Sequence, residues 1–265
     1  MPIANANLNG LTVHYQVEGR GPDVLLIHGW GSSRRMWRHF ISVLAPAYRC
    51  WSLDLPGFGD SDQPDSAWFS IPNYANTVYR FTEMMGLPAA RVIGHSMGGL
   101  ISLDFAATHP DRVPRLVVIN PVVTGRAYLG SFAEWERGVR MLERTQRLSR
   151  RFLQPVLRHP AAAGLPAPLQ HYRQRAEDFS RATAETLVRA GRAIVDYDVL
   201  PKLGHITAPT LIVLGTLDAN VPNSEGHLAA VEIPSARLVA FPAAGHMVLN
   251  DRPAETAQLV AGFLP

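Results

Sequence analysis

The chain has 265 residues, 47% of them hydrophobic, which is enough for one large domain or for a domain carrying an insertion. Its 25 basic and 22 acidic residues leave a net charge of only +3, and Lys202 is the sole lysine, so the charge reads as a solvated surface and not as a nucleic-acid site. The one cysteine, Cys50, excludes an internal disulfide and fits a reducing cytoplasm, and no apolar run approaches the roughly 18 residues of a membrane span.

The first residues, Met1 to Asn7, have neither a charged start nor an apolar stretch, so no secretory leader is expected. Ile3–Asn7 and Leu11–Val17 flank Asn9-Gly10, a two-residue hairpin signal. Aliphatic runs without polar alternation follow at Val24–Ile27, Tyr48–Leu53, Arg91–Gly94, Leu116–Ile119, Leu211–Leu214 and Leu238–Phe241. Such runs suit strands covered on both faces. Helical patterns at Met36–Ala45, Ile71–Met85, Met97–Thr108 and Ala254–Phe263 separate several of them. The alternation predicts an α/β fold, a mostly parallel sheet with helices on both faces.

Between Pro121 and Pro209 the alternation stops and the pattern is helical only, punctuated by Pro155, Pro160, Pro166 and Pro168. Residues 123–202 are expected to form a helical insertion over a core made of 1–122 and 203–265. In its first helix Phe132, Trp135, Val139, Leu142 and Phe152 recur at helical spacing. Arg137, Arg140, Arg144, Arg147 and Arg151 form a second stripe. From Arg126 to Arg192 the insertion holds thirteen arginines against Glu134, Glu136, Glu143, Glu177, Asp178 and Glu185. The bland reading of the stripe is an amphipathic lid helix with its arginines in water. The sharper readings are recognition of an anionic substrate or carrier, or contact with an anionic lipid surface.

Ser96 stands in Gly94-His95-Ser96-Met97-Gly98, between a strand run and a helix. A tight strand-to-helix turn exposes its central residue and leaves no room for side chains on either side, which accounts for the flanking glycines. A serine hydroxyl needs a base to take its proton, and the base needs an orienting carboxylate. In a parallel sheet these come from loops at the carboxyl ends of strands. Asp218 is the first acid after Leu211–Leu214, and His246 follows Leu238–Phe241. The corresponding position after Leu116–Ile119 is Asn120, which cannot be a carboxylate. The order Ser96, Asp218, His246 is that of an α/β-hydrolase triad. The amides of Met97 and of Trp30, in His28-Gly29-Trp30-Gly31, are the expected oxyanion donors. Further pocket candidates are His28, Trp30, His95, Trp135, Val221 and Met247. His28 is expected to orient its loop through hydrogen bonds, and Ser32 and Ser33 to cap the helix near Met36. Neither a metal nor a cofactor is called for.

Taken together, His28-Gly29-Trp30-Gly31, Asp54-Leu55-Pro56-Gly57-Phe58-Gly59-Asp60-Ser61-Asp62, Gly94-His95-Ser96-Met97-Gly98-Gly99, His109-Pro110-Asp111-Arg112-Val113 and Gly245-His246 resemble the α/β-hydrolase fold superfamily over the whole chain. The resemblance implies an eight-stranded sheet whose first hairpin supplies the antiparallel strand, together with a cap domain.

Departures from subfamily patterns narrow the reaction. Haloalkane dehalogenases and epoxide hydrolases use an aspartate nucleophile, where this chain has Ser96. Plant-type hydroxynitrile lyases place a lysine after the histidine, where it has Met247. Cofactor-free haloperoxidases usually carry Phe in place of His95. Acyl transfer to water remains, and a carboxylesterase acting on a small-molecule ester is expected. The segment from His28 to Gly59 is also similar to esterases that demethylate acyl-carrier-bound methyl esters and hold the acidic carrier with cap arginines, although their nucleophile motif differs. A second reading is a hydrolase of carbon–carbon bonds in diketone-type ring-fission products, since such enzymes often carry Ser-Met-Gly-Gly. They usually have further Gly and Pro residues after the His-Gly pair, absent here. A third is a hydrolase-like ligand receptor, whose usual Val-Ser-Ser form is unlike Met97-Gly98-Gly99. A monomer or a homodimer is equally compatible with the sequence.

Overall fold

The computed structural model describes residues 3–128, 136–138, 141 and 167–265, with the backbone alone for 127–128 and 167–172. Its centre is an eight-stranded sheet in the order β1-β2-β4-β3-β5-β6-β7-β8. The strands are β1 (Ala4–Leu8), β2 (Leu11–Glu18), β3 (Asp23–Ile27), β4 (Arg49–Leu53), β5 (Arg91–His95), β6 (Leu116–Ile119), β7 (Thr210–Gly215) and β8 (Ala236–Phe241). Only β2 runs against its neighbours β1 and β4; all other pairings are parallel. The hairpin turns on Asn9 and Gly10, both at positive φ (55° and 89°), as a two-residue turn between twisted strands requires.

The helices whose bounds are described are α1 (Arg38–Leu44), α2 (Ile71–Met84), α3 (Met97–Thr108), α4 (Ala167–Arg181), α5 (Ala184–Val195), α6 (Asn223–Glu232), α7 (Val248–Asp251) and α8 (Pro253–Phe263). Alternate residues of β3 enter different cores. Val24 and Leu26 pack with Trp37, Phe40 and Leu44 of the α1 region and with Val260 of α8. Leu25 and Ile27 pack with Tyr74 and Phe81 of α2 and Leu100 and Leu103 of α3. Two buried faces explain why these strands show no polar alternation. Among the described residues no helix is long and apolar enough to cross a membrane.

Local signals set several boundaries. The helix expected at Met36–Ala45 begins with a 3-10 turn at Arg34–Trp37, where Ser33 Oγ accepts from the Arg35 amide at 3.3 Å. Pro253 stands in the first turn of α8, where a missing N–H costs nothing. Helix α6 has no counterpart in the sequence pattern, because Gly226 lowers its helical propensity. A Cβ at Gly226 would lie 2.5 Å from Leu214 Cδ2, so glycine lets α6 approach β7. The described part of the segment between β6 and β7 is helical, as expected, in α4 and α5.

Strand order reverses at β3: the chain leaves it for β4 on one side and β5 on the other. The carboxyl ends of β3 and β5 therefore face one crevice, the usual place for a ligand in an open α/β sheet.

Candidate active site

Ser96 links β5 to α3 with φ 55° and ψ −118°. This is left-handed backbone in a non-glycine residue, a conformation costing on the order of 1–3 kcal/mol that packing must impose. A Cβ at Gly94 would meet Gly98 O and Ser102 Oγ at 2.3 Å, and one at Gly98 would meet Ile27 O at 2.2 Å. The first turn of α3 is thus pressed onto the end of β3, and only glycines permit it. Gly29 packs less tightly from the other side, its hypothetical Cβ 3.1 Å from Ser96 Cβ. Met97 opens α3, so its amide is one of the helix's unpaired first-turn donors, pointing the same way as the positive end of the helix dipole.

Two loops at adjacent strand ends bring an acid and a base together. Asp218 follows β7, and its Oδ1 accepts from the amides of Asn220 (2.8 Å) and Val221 (2.9 Å). Its Oδ2 lies 2.7 Å from His246 Nδ1 on the loop after β8. A carboxylate only accepts, so Nδ1 carries the proton and Nε2 is left with its lone pair. Burial alone would raise the Asp218 pKa. The hydrogen bond and charge of His246 and the two amides outweigh it and hold the carboxyl below its ordinary value.

His95 and Asn120 steady that loop. His95 Nε2 donates to the His246 carbonyl at 2.9 Å, and the two rings lie 4.7 Å apart. Burial first, then the charge of His246, pull the His95 pKa down to about 3, so the ring is neutral. Asn120 Nδ2 donates to the same carbonyl at 2.8 Å and to Gly245 O at 3.2 Å, while Oδ1 accepts the Gly215 amide at 2.8 Å. One amide side chain ties the ends of β6 and β7 to the histidine loop, a role that only its place after a strand could have hinted at.

Ser96, His95 and His246 line one cavity of about 800 Å³. Its wall is mostly apolar and includes Trp30, Met36, Val122, Val221 and Met247 from around the sheet. Phe179 of α4 and Ile194 of α5 close it from above. Trp30 joins the two parts: Nε1 donates to Leu187 O of α5 at 2.9 Å, and its ring meets Phe179 edge-on at 5.5 Å. Of the expected pocket residues, Trp30, His95, Val221 and Met247 line the cavity.

His28 does not. It is fully buried, with Nδ1 donating to Gly29 O at 2.8 Å and Nε2 accepting the Leu55 amide at 2.9 Å. Both nitrogens are used in fastening its loop to the end of β4, which corrects its inclusion among pocket residues. Trp135, Arg140, Arg144, Arg147 and Arg151 lie outside the described residues, and Arg137 is exposed. Sequence reasoning passed over Val122, in the loop after β6, and Arg175, Phe179 and Ile194, because nothing local distinguishes wall residues in a helical insertion. Among the described residues no cluster of three or more His, Cys, Asp or Glu side chains could hold a metal ion.

The family model of the alpha/beta hydrolase fold matches residues 22–253. A pimeloyl-[acyl-carrier protein] methyl ester esterase of Aeromonas hydrophila is 28% identical over 266 residues, covering 96% of this chain and 100% of the relative. A 2-hydroxy-6-oxo-6-phenylhexa-2,4-dienoate hydrolase of Comamonas testosteroni is 27% identical over 278 residues, covering 99% and 94%. Among solved structures, the enol-lactonase from Burkholderia xenovorans superposes with a TM-score of 0.80 at 25% identity, over 98% of this chain and 99% of that one.

Proposed function

The chain belongs to the alpha/beta hydrolase fold family, and from that premise we propose that it is a serine hydrolase that cleaves carboxylic esters through an acyl-enzyme. Ser96 Oγ attacks the ester carbonyl while His246 Nε2 takes its proton. Asp218 holds the Nδ1–H and offsets the imidazolium charge. The amides of Trp30 and Met97 receive the developing oxyanion. Collapse expels the alcohol, which takes the proton from His246. Water, deprotonated by the same nitrogen, then attacks the acyl-enzyme and releases the acid and free Ser96. The observation that carries this reading is the 2.7 Å bond from His246 to Asp218 at a cavity that Ser96 also lines. Residues 123–202 act as a cap on a core of 1–122 and 203–265, a division supported by the position of α4 and α5 over the cavity. Replacing Ser96 with alanine should abolish hydrolysis of p-nitrophenyl acetate; a variant with full activity would remove the nucleophile.

A finer form of this reading has the ester presented on an acyl carrier, as the name of the Aeromonas relative describes for that protein, with exposed Arg137 as a candidate contact for the carrier. A second reading, cleavage of a carbon–carbon bond by the same residues, is favoured by the likeness to the Comamonas hydrolase over 99% of the chain. Comparing kcat/KM for an ester series and for a vinylogous diketone separates the two.

A further inference from the structure

Among the described residues, Arg175 is the only Arg, Lys, Asp or Glu in the wall of the cavity. It lies on α4, and the helix is held in one rotation by its neighbouring face. There Asp178 Oδ1 accepts from Arg35 at 3.3 Å, and Arg181 pairs with Asp60, which also binds Arg34 at 2.8 Å and Arg35 at 3.1 Å. With Asp178 and Arg181 turned to that ion-pair cluster, Arg175, Ala176 and Phe179 are turned to the cavity. Arg175 is exposed and, among the described residues, has no carboxylate partner, whereas Arg173, Arg181, Arg189 and Arg192 of the same two helices are all in ion pairs. Its charge is felt at the reacting end of the cavity, where it adds to burial and to His246 in keeping His95 neutral.

We propose that Arg175 makes the site selective for esters whose acyl part ends in a carboxylate, so that the preferred substrates are half-esters of dicarboxylic acids. The guanidinium offers a planar pair of donors that matches a carboxylate, and the mostly apolar lining of the cavity that Arg175 and Ser96 share suits a methylene chain. A single cation matches a monoanion. A phosphate dianion would call for a second cation, and the described wall has none. The assignment rests on the esterase reading for the position of the ester, but not for its own test.

In a Ser96→Ala background, which removes turnover, the Kd of monomethyl adipate and of dimethyl adipate is measured by calorimetry with and without Arg175→Ala. The proposal expects the preference for the monoanion to fall about ten-fold, to be partly kept by Arg175→Lys and to weaken as salt is raised. An unchanged ratio of the two Kd values overturns it. Hydrolysis of dimethyl adipate by the protein with Ser96 intact reports separately on the esterase reading, so the two can fail independently. Since Arg175 is exposed, its replacement leaves the core untouched.

Discussion

The imidazole of His246 is bound through Nδ1 to Asp218 Oδ2 at 2.7 Å, although the two residues lie on loops leaving different strands. The parallel pairing of β7 with β8, Leu214 opposite Ala240 and Gly215 opposite Phe241, sets both loops on the same edge of the sheet. The bond fixes the tautomer, and with it which nitrogen is free to act as a base. Asp218→Asn keeps the shape but lets the ring take the other tautomer. The expected result is a fall in kcat of about a thousandfold or more, read with p-nitrophenyl acetate, with little change in KM.

Asn120 makes a sharper test of how the loop is held. Its Nδ2 faces two carbonyls and its Oδ1 faces an amide. In Asn120→Asp the two carbonyls would face a carboxylate oxygen and lose their donor. Stability should drop by about 1–3 kcal/mol, seen as a lower Tm, with kcat falling as His246 loses its support. An aspartate variant as stable and as active as the parent would show that the side chain does not hold the loop.

His95 gives the fold an acid sensitivity of known sign. Burial, then the His246 charge, lowers its folded pKa to about 3 against an unfolded value of 6.5. Between those values the unfolded chain binds a proton that the folded chain refuses, so stability declines as pH falls through that window. His28, also buried with a lowered pKa, acts in the same direction. Tm measured from pH 7 to pH 4 should fall less steeply for His95→Gln than for the parent. Equal slopes would mean that His95 does not stay neutral.

Most of the sheet was legible because its central strands are short apolar runs set between turn residues, as in Leu116–Ile119 and Thr210–Gly215, while the first hairpin was marked by Asn9-Gly10. Ser96, Asp218 and His246 could be picked out because each follows such a run. His28 was half legible: it holds its loop by hydrogen bonds, as its place suggested, but only the folded chain shows Leu55 and Gly29 taking both its nitrogens and keeping it out of the cavity wall. Arg175 was one arginine among many. What distinguishes it is the rotation of α4, fixed by Asp178 and Arg181 against residues more than a hundred positions earlier in the chain.

The central claim is that Ser96 becomes covalently acylated. Peptide mass spectrometry after treatment with an organophosphonate that mimics the tetrahedral intermediate tests it most directly. The account predicts one adduct, on the peptide carrying Ser96, with activity lost in proportion and no labelling of Ser96→Ala. An adduct on another residue, or full inactivation with Ser96 unmodified, would contradict it.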